Sequence, residues 1–232
     1  MQLGLSFDFG FMLLNPWSDL SRVLNNLRFL EAFVGDGAAP AGFCRTLPYA
    51  GTAVEHRLAA EGRLRRAGFD SDYDFLDPRL DAFCRWMLET FADRHCSPNG
   101  TLALLQILVL QAHLDFPDAP ADPVLRDTIH ALTAVSNQAA VDAATQAAEY
   151  LADGADDSLL LMLRDQHAAQ DRQVRTDLAA LLCRRPGILE RMAFALDETR
   201  VADTATDCDQ EAAAVSAEDE IGSGGCGWQE RR

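Results

Sequence analysis

The chain has 232 residues, 48% of them hydrophobic, with 36 acids against 20 cations and a formal charge of -16. That length admits one domain, or one domain with an appendage, and the apolar content suffices for a core; every cation is arginine, so a P-loop lysine or a Schiff-base lysine is excluded. A pI near 4.5 argues against a nucleic-acid binder with a broad basic face, and no apolar run reaches the ~18 residues of a membrane span. Met1-Gln2-Leu3-Gly4 has no basic stretch of the secretory kind. The expectation is a cytoplasmic protein with neither nucleic acid nor membrane as partner.

The first segment, residues 3–14, alternates Leu3, Leu5, Phe7, Phe9 and Phe11 with smaller or polar residues, the period of a buried strand that needs sheet neighbours. Asn15-Pro16 ends it. Ser18 is the expected cap of a helix whose stripe is Leu20, Val23, Leu24, Leu27, Leu30 and Val34, ending near Gly35-Asp36-Gly37. A second short strand is expected over 42–47, then a turn at Pro48 to Thr52, and a helix from Ala53 to Arg65 capped by Thr52. Asp70, Asp72, Asp74 and Asp77 read as a solvated acidic loop, since the glycine and terminal glutamate of a calcium hand are missing.

From there the pattern is helical. Asp77-Pro78 pairs a cap with proline in the first turn, and Leu80, Cys84, Met87 and Phe91 follow on one face. Residues 101–114 are apolar nearly all round and read as the central buried helix of a bundle. Asp122-Pro123 starts a long helix to about Ala152, dense in alanine, and Ser158 to Arg184 gives another; a last short helix is expected after Pro186-Gly187. Beyond residue 200 the chain is acidic and Gly/Ser-rich, and is expected to be disordered.

The six cysteines, Cys44, Cys84, Cys96, Cys183, Cys208 and Cys226, show neither C-x-x-C nor C-x-x-x-C spacing and are expected to be reduced. Cys84 and Cys183 read as small buried hydrophobes. His56, His95, His113, His130 and His167 fall on separate predicted segments; His113 and His130 can approach within a bundle, but two imidazoles without adjacent carboxylates do not make a metal site. No metal ligands are expected from this chain.

One resemblance runs through the first 65 residues. Gly10-Phe11-Met12-Leu13-Leu14-Asn15-Pro16, a helix containing Asn26-Leu27-Arg28-Phe29-Leu30, then Arg45, Leu47, Tyr49, Gly51, Thr52 and Glu61-Gly62-Arg63-Leu64 occur in an order and spacing similar to the late strands of radical SAM enzymes. They resemble most the branch that carries a cobalamin (B12)-binding domain. The resemblance covers about residues 3–66 and implies one or two strands of a partial TIM-type barrel over 1–66; with the helical domain read over 67–199 and the acidic tail over 200–232, the expected fold class is α/β at the start and mostly α overall. It also implies S-adenosylmethionine, a [4Fe–4S] cluster and cobalamin as cofactors of the intact enzyme, used for radical generation with methylation or natural-product or peptide modification. The C-x-x-x-C-x-x-C cluster motif is missing, so none of these is expected on this chain alone. The chain reads as a C-terminal part whose partner is an N-terminal radical SAM/B12-binding half or another sheet-completing chain.

The resemblance places Gly10, Phe11 and Met12 beside S-adenosylmethionine; the alternative is a strand bulge and core. Arg45 is a candidate for a ligand carboxylate or phosphate, or else a structural ion pair. Tyr49 is a candidate substrate contact, or else a turn anchor. A non-enzymatic helical interaction or scaffold module, adding its first strand to a partner's sheet, is the alternative to the enzyme reading.

Overall fold

A computed structural model describes residues 10–66, 72–97, 99–113, 122–154 and 157–184. The elements run β1 (Met12–Leu14), α1 (Leu20–Val34), β2 (Cys44–Arg45), α2 (Ala53–Ala60), β3 (Leu64–Arg66), β4 (Asp72–Tyr73), α3 (Pro78–Thr90), α4 (Ala92–Cys96), α5 (Thr101–His113), α6 (Pro123–Ala152) and α7 (Asp157–Cys183). The protein is mostly helical, with small strands. No helix among the described residues is long and apolar enough to cross a membrane.

The N-terminal unit is a strand–helix–strand crossover. β1 and β2 pair in parallel, Met12 opposite Cys44 and Leu14 opposite Arg45 with a bulge between. A parallel pair needs such a crossover, because a tight turn cannot reverse the chain twice. α1 forms because Leu20, Val23, Leu27, Leu30 and Val34 make one buried stripe. Its cap is Asp19, whose side chain accepts from Arg22 N, rather than the expected Ser18. Ser18 is instead buried and its hydroxyl accepts from Asn15 N, which tightens the turn after β1.

α2 ends five residues before the expected Arg65. Gly62 has φ 67°, a left-handed conformation that stops a helix and suits glycine. The chain then enters β3, which pairs antiparallel with β4. Neither strand exceeds three residues, too short for a period to emerge in the sequence.

α6 is the axis of the molecule: it packs against α1, α3, α5 and α7. Ala140, Ala143, Ala144, Ala147 and Ala148 are buried along it, and their small side chains let neighbouring helices approach closely. α5, expected at the centre, buries Leu105, Leu108, Val109 and Ala112, half-buries most of its other residues and leaves Leu110 exposed. The alanine-dense helix is the one that contacts four others, because its small side chains let neighbours approach closely on its buried face. Trp86 Nε1 donates to Leu160 O at 2.8 Å and ties α3 to the start of α7.

The loop from α1 to β2 lies flat on α6. Asn137 Nδ2 donates to Val34 O and Ala39 O, both at 2.9 Å, and its Oδ1 accepts from Ala41 N at 2.7 Å. At Gly37 (φ 73°) a Cβ would stand 1.9 Å from His130 O, so the loop can sit there only without a side chain.

Of the expected elements, residues 3–9 of the first strand, the short helix after Pro186-Gly187 and the 200–232 tail lie outside the described residues.

Candidate functional site

The apolar interior is split into two clusters. The larger gathers β1, α1, α3 and the second half of α6 with Leu160 and Leu163. The smaller gathers Leu105, Leu108, Val109 and Ala112 of α5, Ile129 of α6, and Val174, Leu178 and Leu182 of α7. Between them in chain position, α6 carries Thr133, Ser136 and Asn137, α7 carries His167, and α4 with the start of α5 carries Arg94 and Thr101, all buried. This polar layer is the densest buried grouping of polar side chains among the described residues.

Arg94 is its centre. Its side chain is almost fully buried. Nη1 donates to Ala41 O at 2.6 Å, while Nε and Nη2 reach Ser136 Oγ at 3.4 and 3.3 Å. Nη1 also lies 2.7 Å from His95 Nε2. A guanidinium can only donate, so His95 Nε2 accepts and its proton sits on Nδ1. Burial lowers Arg94 to about 10, and the charge of Asp171 works the other way. Asp171 itself accepts from Thr101 Oγ1 at 2.9 Å.

Both histidines here stay neutral at pH 7. Burial first, then the Arg94 charge, then His167, holds His95 well below the usual imidazole range. Burial and then Arg94 bring His167 down to about 4. Phe91 stacks on His95 and meets His167 edge-on at 4.6 Å. Nδ1 of His167 is buried without a hydrogen-bond partner. A small cleft of about 50 Å³ between α6 and α7 is lined by His167, Asp142, Gln146 and Gln170, among others. That volume has room for water but is far below the roughly 300 Å³ of a small-molecule pocket. The layer is thus built to fasten α4, the α1–β2 loop and α6 together.

A second network surrounds the carboxyl ends of β1 and β2. Arg45 Nη2 pairs with Asp72 Oδ1 at 2.9 Å, both side chains largely buried, and its guanidinium lies 5.3 Å from the Tyr73 ring centre. Burial alone would raise Asp72, but Arg45 and the Tyr73 N–H bring its carboxyl below the ordinary value. Burial pushes the Cys84 thiol up to about 11, which makes it a poor nucleophile. Nearer the surface, Arg63 Nη1 donates to Pro16 O and Asp74 O, both at 2.8 Å. Glu61 accepts from Trp17 Nε1, Arg57 and Arg63, and the Arg57 guanidinium lies 4.0 Å from the Trp17 ring centre. The bond from Arg63, then that from Arg57, holds Glu61 down at about 2. This clasp straps the turn after β1 to the end of α2 and to β4.

The sequence-predicted residues do not converge. Gly10 and Met12 are exposed, Phe11 is half-buried and stacks on Phe29 at 5.7 Å, and Phe29 stacks on Phe33 at 5.6 Å. These three residues flank the amino end of β1, and a Cβ on Gly10 would meet nothing within 4 Å. Arg45 lies at the opposite end of the sheet, in its ion pair with Asp72. Tyr49 is 66% exposed, and its carbonyl accepts from Thr52, as a turn anchor would. Asp72, expected in a solvated acidic loop, is instead drawn inside by its pair with Arg45.

The cofactors implied by the resemblance do not fit the donors described. Cys44 is an exposed free thiol on β2 and Cys84 a buried one on α3, Cys96 is exposed on α4, and Cys183 is disulfide-bonded, against the expectation of reduced thiols. Among the described residues no three His, Cys, Asp or Glu side chains are grouped to hold a metal ion. His113 and His130 do approach, with ring centres 5.2 Å apart, and His113 Nδ1 is held by Val109 O at 2.7 Å. No protein-family model matches the chain, and neither does any curated protein or solved structure.

The polar layer was overlooked in the sequence, although a signal was there. Arg94 continues the Met87–Phe91 stripe, His167 continues Leu160–Leu163, and Asn137 lies between Thr133 and Ala140 on the buried face of α6. Polar residues at stripe positions mark buried hydrogen-bonding groups.

Proposed function

We propose that this chain supplies late strands of a radical SAM-type partial barrel, of the cobalamin-binding-domain-containing kind, backed by a helical body. The cluster-binding residues belong to polypeptide outside these 232 residues. The observation that carries the reading is the parallel β1–α1–β2 crossover, which falls where the motif segments Gly10 to Pro16 and Arg45 to Thr52 lie. Parallel strands are found in sheets covered on both faces and flanked by further strands, and Leu13 and Leu14 are both fully buried as such strands require. Beside β1, the Phe11–Phe29–Phe33 stack presents aromatic surface. In this reading the assembled enzyme generates a radical from S-adenosylmethionine for methylation or for natural-product or peptide modification, and this chain contributes a wall and a scaffold without ligating the cluster.

The test is anaerobic reconstitution with iron and sulfide. The chain is prepared alone and together with a co-expressed polypeptide from the same genome that carries C-x-x-x-C-x-x-C and strands of a partial barrel. The expected outcome is a stable complex with iron–sulfur absorbance and S-adenosylmethionine cleavage, and no cluster on this chain alone. A stoichiometric cluster on the isolated chain would overturn the assignment of the cluster to another polypeptide. A helical interaction module is the second reading, favoured by the same aromatic stack; partner binding without any cluster or S-adenosylmethionine cleavage would select it.

A further inference from the structure

We draw no further inference here: the strongest candidate, the partly exposed aromatic face formed by Phe11, Phe29 and Phe33 beside the edge of β1, carries nothing because no described residue shows what covers it.

Discussion

The two ends of the molecule hold their arginines in different ways. Around the sheet, Arg45, Arg63 and Arg65 each meet a carboxylate, from Asp72, Glu61 and Asp74. In the helical layer, Arg94 is held by a backbone carbonyl, a serine hydroxyl and a neutral imidazole, with Asp171 acting only through its charge. Depth separates the outermost pair, Arg65–Asp74, from Arg94, whereas Arg45 and Asp72 are themselves largely buried and pair charge with charge. At the surface, water already screens charge, and an ion pair contributes about 0–1 kcal/mol. In the interior, each donor of a buried guanidinium must find an acceptor or cost the molecule the desolvation of that group. Arg94 therefore acts as a fastener whose removal strands several acceptors, whereas the sheet-end pairs mainly position the strap over β1.

The largest effect is expected at Arg94. Arg94→Ala leaves Ala41 O, Ser136 and His95 without their donor and opens a cavity, a loss of about 3–5 kcal/mol. Urea denaturation reads it as a lower midpoint at unchanged slope. A loss below about 1 kcal/mol would mean that relief of the buried charge cancels the stranded acceptors.

Acid should weaken the two ends in separate windows. His95 and His167 have folded pKa values below the unfolded 6.5, so the unfolded chain takes up their protons first. Their stabilising contribution is complete above pH 6.5 and is lost as the pH falls, for His167 until about 4. The His167 share alone is about 3 kcal/mol. Stability measured by denaturation at a series of pH values should fall through this window, and His167→Gln should flatten the fall. An unchanged slope in the variant would remove His167 from the explanation. Glu61, held down at about 2, works lower: its contribution is complete above the ordinary carboxyl value of 4.5 and is lost as the pH drops toward 2.

The smallest effect is expected at that clasp. Glu61→Gln removes the charge that receives Arg57 and Arg63 but keeps an acceptor for Trp17 Nε1. The global melting midpoint should barely move, while tryptophan fluorescence should report an altered Trp17 environment. A drop in midpoint comparable to that of Arg94→Ala would erase the contrast between the two networks.

How much of this was legible in the sequence depends on length and burial. α1, α3, α6 and α7 were readable because each repeats an apolar stripe over several turns or opens with Asp-Pro. The β3–β4 hairpin was not, because Leu64–Arg66 and Asp72–Tyr73 gain their partners only in the folded chain. The Arg45–Asp72 pair followed from that hairpin and was hidden with it. Gly10, Phe11 and Met12 were singled out through the resemblance, whereas Arg94 and His167, which the structure does bring together, carry no motif. Their signal was a polar residue in an apolar register, and a stripe read for its hydrophobes passes over the exceptions.

The most direct measurement of the difference between the two ends is amide hydrogen exchange on the isolated chain. The amides of Met12–Leu14 and Cys44–Arg45, in a short parallel pair without flanking strands among the described residues, should exchange through local opening. Those of residues 136–141 in α6 should exchange only through global unfolding. Protection of β1 and β2 equal to that of α6 in the isolated chain would contradict the proposal that the sheet end needs further strands while the helical layer is the anchor.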